Sequence, residues 1–71
     1  MTDTKKLQGK MREKGITISR LAELIGCSDT GLANKIHNRT EFVASEMDKI
    51  GAVLGLTLEE KDAIFFAKDV E

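Results

Sequence analysis

The sequence predicts an all-α domain of five short helices. Three observations carry that reading. Apolar residues recur three or four positions apart, and the period-two alternation of half-buried strands is almost absent. No proline interrupts any of these stretches. Glycines at 15, 26 and 55 follow the helical stretches, where helices characteristically stop, so glycines are expected at element ends.

The first helix is expected from Asp3 or Thr4 to Lys14, with Leu7 and Met11 as its inward pair at i, i+4. Gly15 suits the left-handed position that closes it, and Ile16 folds back onto it. Thr17 can cap a second helix running to about Ile25, its hydroxyl accepting from free backbone N–H groups. Leu21 and Ile25 face inward, with Ala22 at the tightest approach to the next helix. Gly26 makes the corner, and Cys27 is tucked beneath it as a small core residue.

Ser28 caps a third helix to about His37, with Leu32 and Ile36 inward. Gly31 inside that helix costs about 1 kcal/mol relative to alanine. It is there either because something approaches closely or as a tolerated defect. Asn38 to Glu41 reads as a loop, anchored to the core by Phe42 and Val43. A fourth helix is expected from Ala44 to Leu54, with Met47, Ile50, Val53 and Leu54 at helical spacing; Gly55 ends it and Leu56 packs back. Thr57 and Glu60, three apart, form a capping box for a fifth helix to about Lys68 carrying Leu58, Ile64, Phe65, Phe66 and Ala67. Phe65 and Phe66 lie about 100° apart around that helix, so one enters the core and the other stands near the surface as a candidate protein contact.

Seventy-one residues make one domain, 1–71, which buries only roughly 60% of its unfolded surface. The single cysteine excludes an intramolecular disulfide. With no apolar leader at MTDTKKLQGK and no run near the ~20 residues that span a bilayer, the expected setting is the cytoplasm, that of the host if a phage encodes the chain. The net charge of −1 hides an asymmetry. Residues 1–39 hold eight Lys and Arg against four acids; residues 40–71 hold three Lys against eight acids. The basic half contains the helix pair, as expected if that half meets phosphate. Catalysis is not expected. His37 is the only histidine, no Ser or Cys stands near it in a catalytic spacing, and neither a Gly-rich phosphate loop nor a metal-ligand cluster occurs, so no cofactor, metal or small-molecule substrate is anticipated.

The stretch Thr17–Ile36, TISRLAELIGCSDTGLANKI, is a pair of short helices with a sharp corner, the shape of a helix-turn-helix. Leu21-Ala22, Gly26, Cys27, Ser28 and Leu32, with the Leu54-Gly55-Leu56 ending further on, resemble the lambda-repressor-like domain of the Cro/CI and Xre regulators. The resemblance covers nearly the whole chain. In length and style the chain is also similar to the small switch proteins of temperate phages, the modulator-of-repression type of lactococcal phages among them.

That resemblance implies that the third helix enters the major groove and reads bases with its early outward residues, Asp29, Thr30, Ala33 and Asn34, behind the cap Ser28. Thr30 can touch a thymine methyl, and Asn34 can pair with adenine at two points. Lys10, Lys14, Lys35, Asn38 and Arg39 would hold phosphates. Family members often carry glutamine where this chain has Ile18 and Asp29. Ile18 removes a polar contact to the backbone and to the base reader. Asp29 suits the helix dipole, can accept from cytosine N4, and can equally meet a basic group on another protein. Two partners are therefore expected from the sequence: operator DNA, bound as a homodimer on paired half-sites, or a cognate phage repressor contacted through Asp29 and Phe66. In the second reading the chain is an antirepressor-type modulator with little DNA affinity.

Overall fold

Local capping chemistry sets the helix boundaries. The computed structural model describes residues 1–67, and there the chain forms α1 (Thr4–Lys14), α2 (Ile18–Ile25), α3 (Asp29–Ile36), α4 (Ala44–Leu54) and α5 (Leu58–Phe65), with no strand among the described residues. Asp3 accepts from the Lys6 N–H, Thr17 from Arg20 and Ser28 from Gly31, each at 3.0 to 3.2 Å, so the first three helices begin on side-chain caps. Thr57 and Glu60 close the reciprocal box expected at α5. Val43 precedes α4 without a side-chain acceptor, and the Glu46 carboxylate instead accepts the Val43 N–H at 3.0 Å.

Gly26 adopts φ +81°, a left-handed conformation that a Cβ would strain, and this turns α2 into α3. Gly31 lies inside a helix as expected, and so do Gly9 and Gly51; only Gly15, Gly26 and Gly55 stand at helix ends. At Gly51 the reason is packing, since the Lys61 side chain of α5 crosses it 3.2 Å from where a Cβ would sit and goes on to pair with Asp48 at 2.6 Å.

Leu7 and Met11 of α1, Leu21, Ala22 and Ile25 of α2, and Leu32 and Ile36 of α3 are buried in one core with Ile50 and Leu54 of α4 and Ile64 and Phe65 of α5. Cys27 is half-buried against it, as expected. Phe42 enters the core and meets Phe65 edge-to-face, with ring centroids 5.2 Å apart. Val43, expected beside it as an anchor, is exposed because its place at the α4 N-terminus turns it outward.

The fifth helix is shorter than its pattern. It ends at Phe65, Phe66 stands exposed beyond it, and Lys68 lies outside the described residues. The Phe66 N–H makes the last helical bond, to the Asp62 carbonyl, and the next carbonyl but one, that of Ile64, accepts the Asp3 N–H at 2.7 Å. Leu58, on the first turn of α5, is 74% exposed.

The N-terminal segment also binds the end of α3. Thr4 donates its hydroxyl to the Ile36 carbonyl at 2.6 Å. The Asn38 side chain closes a ring with the Thr2 backbone, accepting its N–H and donating to its carbonyl, both at 2.8 Å. Asn38 is the one non-glycine residue with positive φ among the described residues, at +64°, a conformation asparagine tolerates better than most residues.

Candidate nucleic-acid interface

The exposed side of α3 is assembled from the cap outward. Ser28 holds the Gly31 N–H, and a Cβ at residue 31 would lie 2.9 Å from the Ser28 hydroxyl. Glycine at residue 31 thus avoids a contact with the cap, one that Lys6, Arg20 and Glu60 accommodate at the matching positions of α1, α2 and α5.

Asp29 follows on the first turn, exposed, with one carboxylate oxygen accepting the Ser19 hydroxyl. This bond joins the first turns of α2 and α3. The sequence reading expected Ile18 to deprive the reading residue of a polar partner; Ser19, one place later, supplies it. Ile18 itself is not an exposed residue but half-buried against the core. Ser19 lies one place beyond the position where relatives carry glutamine, so the resemblance does not point to it. The available signal was a hydroxyl in the first turn of α2, the turn that faces the start of α3.

Thr30 is exposed, and no hydrogen bond holds its hydroxyl among the described residues. Ala33 and Asn34 are half-buried at the edge of the same surface. Arg39, exposed in the loop beyond α3, donates its backbone N–H to the Asn34 carbonyl at 2.8 Å and its guanidinium Nη1 to Asn34 Oδ1 at 3.2 Å.

Of the five residues expected at phosphates, four have their side chains partnered within the protein, Arg39 on Asn34 among them. Lys35 forms an ion pair with Glu46 of α4, with both side chains largely covered. Lys10 reaches Glu60 of α5 at 2.5 Å and Glu13 at 3.7 Å. Asn38 is spent on Thr2. Lys14 and Arg39 are exposed, and neither forms an ion pair among the described residues. Lys14 lies beside Gly55, where its ammonium also suits the carbonyl end of α4. Lys5, Lys6 and Arg12, which the sequence reading left unassigned, add exposed positive charge on α1.

The internal pairs shift their own titrations. The hydrogen bond to Glu60 holds the Lys10 ammonium above its ordinary range, and Lys10 with the Thr57 N–H holds Glu60 below the usual carboxylate range. Burial alone would raise Glu46, but the Lys35 ammonium and the Val43 N–H outweigh it and keep this carboxyl low.

Asp29 thus presents an acceptor at one end of α3, and Asn34 with Arg39 presents donors at the other. Such a surface can pair with base edges or with a polar protein face. Residues 6–60 match the family model described as Cro/C1-type HTH DNA-binding domain. A cyanate hydratase of Acaryochloris marina (strain MBIC 11017) is 34% identical over 56 residues, 79% of this chain; the chain spans 38% of that relative's length. No solved structure matches.

Proposed function

Because the chain belongs to the Cro/C1-type helix-turn-helix DNA-binding family, we propose that it is a small transcriptional regulator whose α3 reads operator DNA at a phage lysogeny switch. The observation that carries this reading is the polar face of α3, on which Asp29, Thr30 and Asn34 line the outer side and Ser19 and Arg39 brace two of them. Lys14 and the α1 cations would meet phosphate. A homodimer would place two α3 helices on half-sites about 34 Å apart. The phage setting rests on likeness in length and style to small temperate-phage switch proteins. The reading is of a binding protein acting in the host cytoplasm, without catalysis. Among the described residues no helix is long and apolar enough to cross a membrane.

A second reading is supported by the charge arrangement. Lys10 and Lys35 are paired internally, Asp29 sits at the leading end of α3, and Phe66 is 57% exposed. A carboxylate-tipped face suits the basic DNA-reading surface of a cognate repressor, which the chain would occupy as an antirepressor.

Fluorescence anisotropy with duplexes from the promoters of its own locus tests the first reading. Affinity should fall roughly 10²- to 10⁴-fold between about 50 and about 200 mM salt, as for about two to four phosphate contacts on each protomer of a dimer. Absence of binding at the lower salt, together with capture of the locus's repressor, would replace the first reading by the second.

A further inference from the structure

We propose that Asn34 and Arg39 act as one donor-only reading unit that selects guanine over adenine in the major groove; the inference rests on the DNA reading above. A guanidinium has donors and no acceptor, so the amide atom facing Arg39 must be the Asn34 oxygen. The amide NH2 therefore turns away from the loop, and none of its hydrogens has a partner among the described residues. The backbone bond from Arg39 to the Asn34 carbonyl, at 2.8 Å, keeps the two residues together. The Thr2–Asn38 ring fixes the loop just before Arg39. The two side chains thus lie together in the free protein, joined by one side-chain bond and one backbone bond.

Base chemistry then discriminates. Two-point pairing with adenine needs the asparagine oxygen to accept from N6 while the amide donates to N7. Arg39 takes one of that oxygen's two lone pairs. Adenine N6 would have to use the other with a guanidinium beside it, a donor next to a cation, which guanine does not face. Guanine shows two acceptors on the same edge, O6 and N7. One can take an Asn34 amide N–H and the other an Arg39 N–H. Thymine O4 offers a single acceptor and satisfies half the unit. The expectation from resemblance alone, Asn34 on adenine and Arg39 on phosphate, is replaced by a joint contact to one base.

The test selects duplexes from a randomised pool with the full chain, then titrates the enriched site and its single-base variants. The base read by the unit is the position whose preference changes in Asn34→Ala. Guanine is expected there in the wild type, with adenine bound roughly tenfold more weakly. Arg39→Ala, at an exposed position whose folding a thermal melt checks, should free the amide to turn and shift that preference toward adenine. Two outcomes would overturn the proposal while leaving DNA binding intact. One is adenine at that position in the wild type. The other is an Arg39→Ala variant weakened equally on every sequence, as a phosphate contact would be. Enrichment of no sequence would remove the DNA reading itself, and this inference with it.

Discussion

Leu32→Ala lowers the melting midpoint by roughly 12 to 24 °C, the largest effect expected of a single substitution in the helix pair. Leu32 is fully buried in the cluster that also holds Leu21, Ala22 and Ile25 of α2. Truncating a buried leucine forfeits its transfer free energy and leaves a cavity, about 3 kcal/mol together. In a domain of this size each kcal/mol moves the midpoint by about 4 to 8 °C. The whole domain stabilises only about 5 to 15 kcal/mol in proteins of ordinary stability, so a sizeable share is lost at once. Leu58→Ala provides the contrast, because Leu58 is 74% exposed. It should change stability by less than about 0.5 kcal/mol. Equal effects at the two positions, measured by calorimetry or circular dichroism, would contradict the assignment of the core.

Glu46→Ala should cost about 2 kcal/mol, and the wild type should show the corresponding weakness in acid. The carboxylate does two jobs: it accepts the Val43 N–H at the start of α4 and it neutralises Lys35 of α3. Removing it takes away a cap bond, about 1 kcal/mol. It also leaves the Lys35 ammonium largely covered and unpaired, a further cost of similar size. Its carboxyl is held low in the folded protein, burial being outweighed by Lys35 and the Val43 N–H. A depressed folded value means that the unfolded chain takes up the proton first. The stabilisation is therefore complete above the ordinary glutamate range near pH 4.3, and is lost as pH falls from there through the folded value. Glu60, lowered by Lys10 and the Thr57 N–H, adds a loss of the same sign. Glu46→Gln keeps an acceptor for Val43 without the charge. Its melting midpoint should fall less steeply with acid than that of the wild type, retaining only the Glu60 part. Parallel curves for the two proteins would show that the Lys35 pair contributes nothing to the acid response.

Much of the frame was legible because its signals are local. Thr17, Ser28 and Thr57 cap the helices they precede, and α4 runs from Ala44 to Leu54 as its spacing predicts. What stayed hidden depends on residues far apart in the chain. Lys35 and Lys10 read as free cations until α4 and α5 bring Glu46 and Glu60 against them. The end of α5 is tied to Asp3, from the opposite end of the sequence, through the Ile64 carbonyl, and no helical pattern carries that contact. Adjacent Phe65 and Phe66 could not be ranked by periodicity; Phe42 decides the matter by taking Phe65. At the reading face the outward residues of α3 were visible from the resemblance. Their braces, Ser19 and Arg39, come from neighbouring segments whose approach only the fold defines.

The most direct test of α3 as the reading element is a chemical-shift titration of the 15N-labelled chain with the duplex that binds best. The predicted result is a contiguous set of perturbed signals from Ser28 to Asn34, extending to Arg39, the Asn34 side-chain amide and Lys14, while α5 and Phe66 stay silent. Perturbations centred on Phe66 and α5 with α3 unmoved, or a spectrum that responds to a basic repressor protein and not to any duplex, would contradict it.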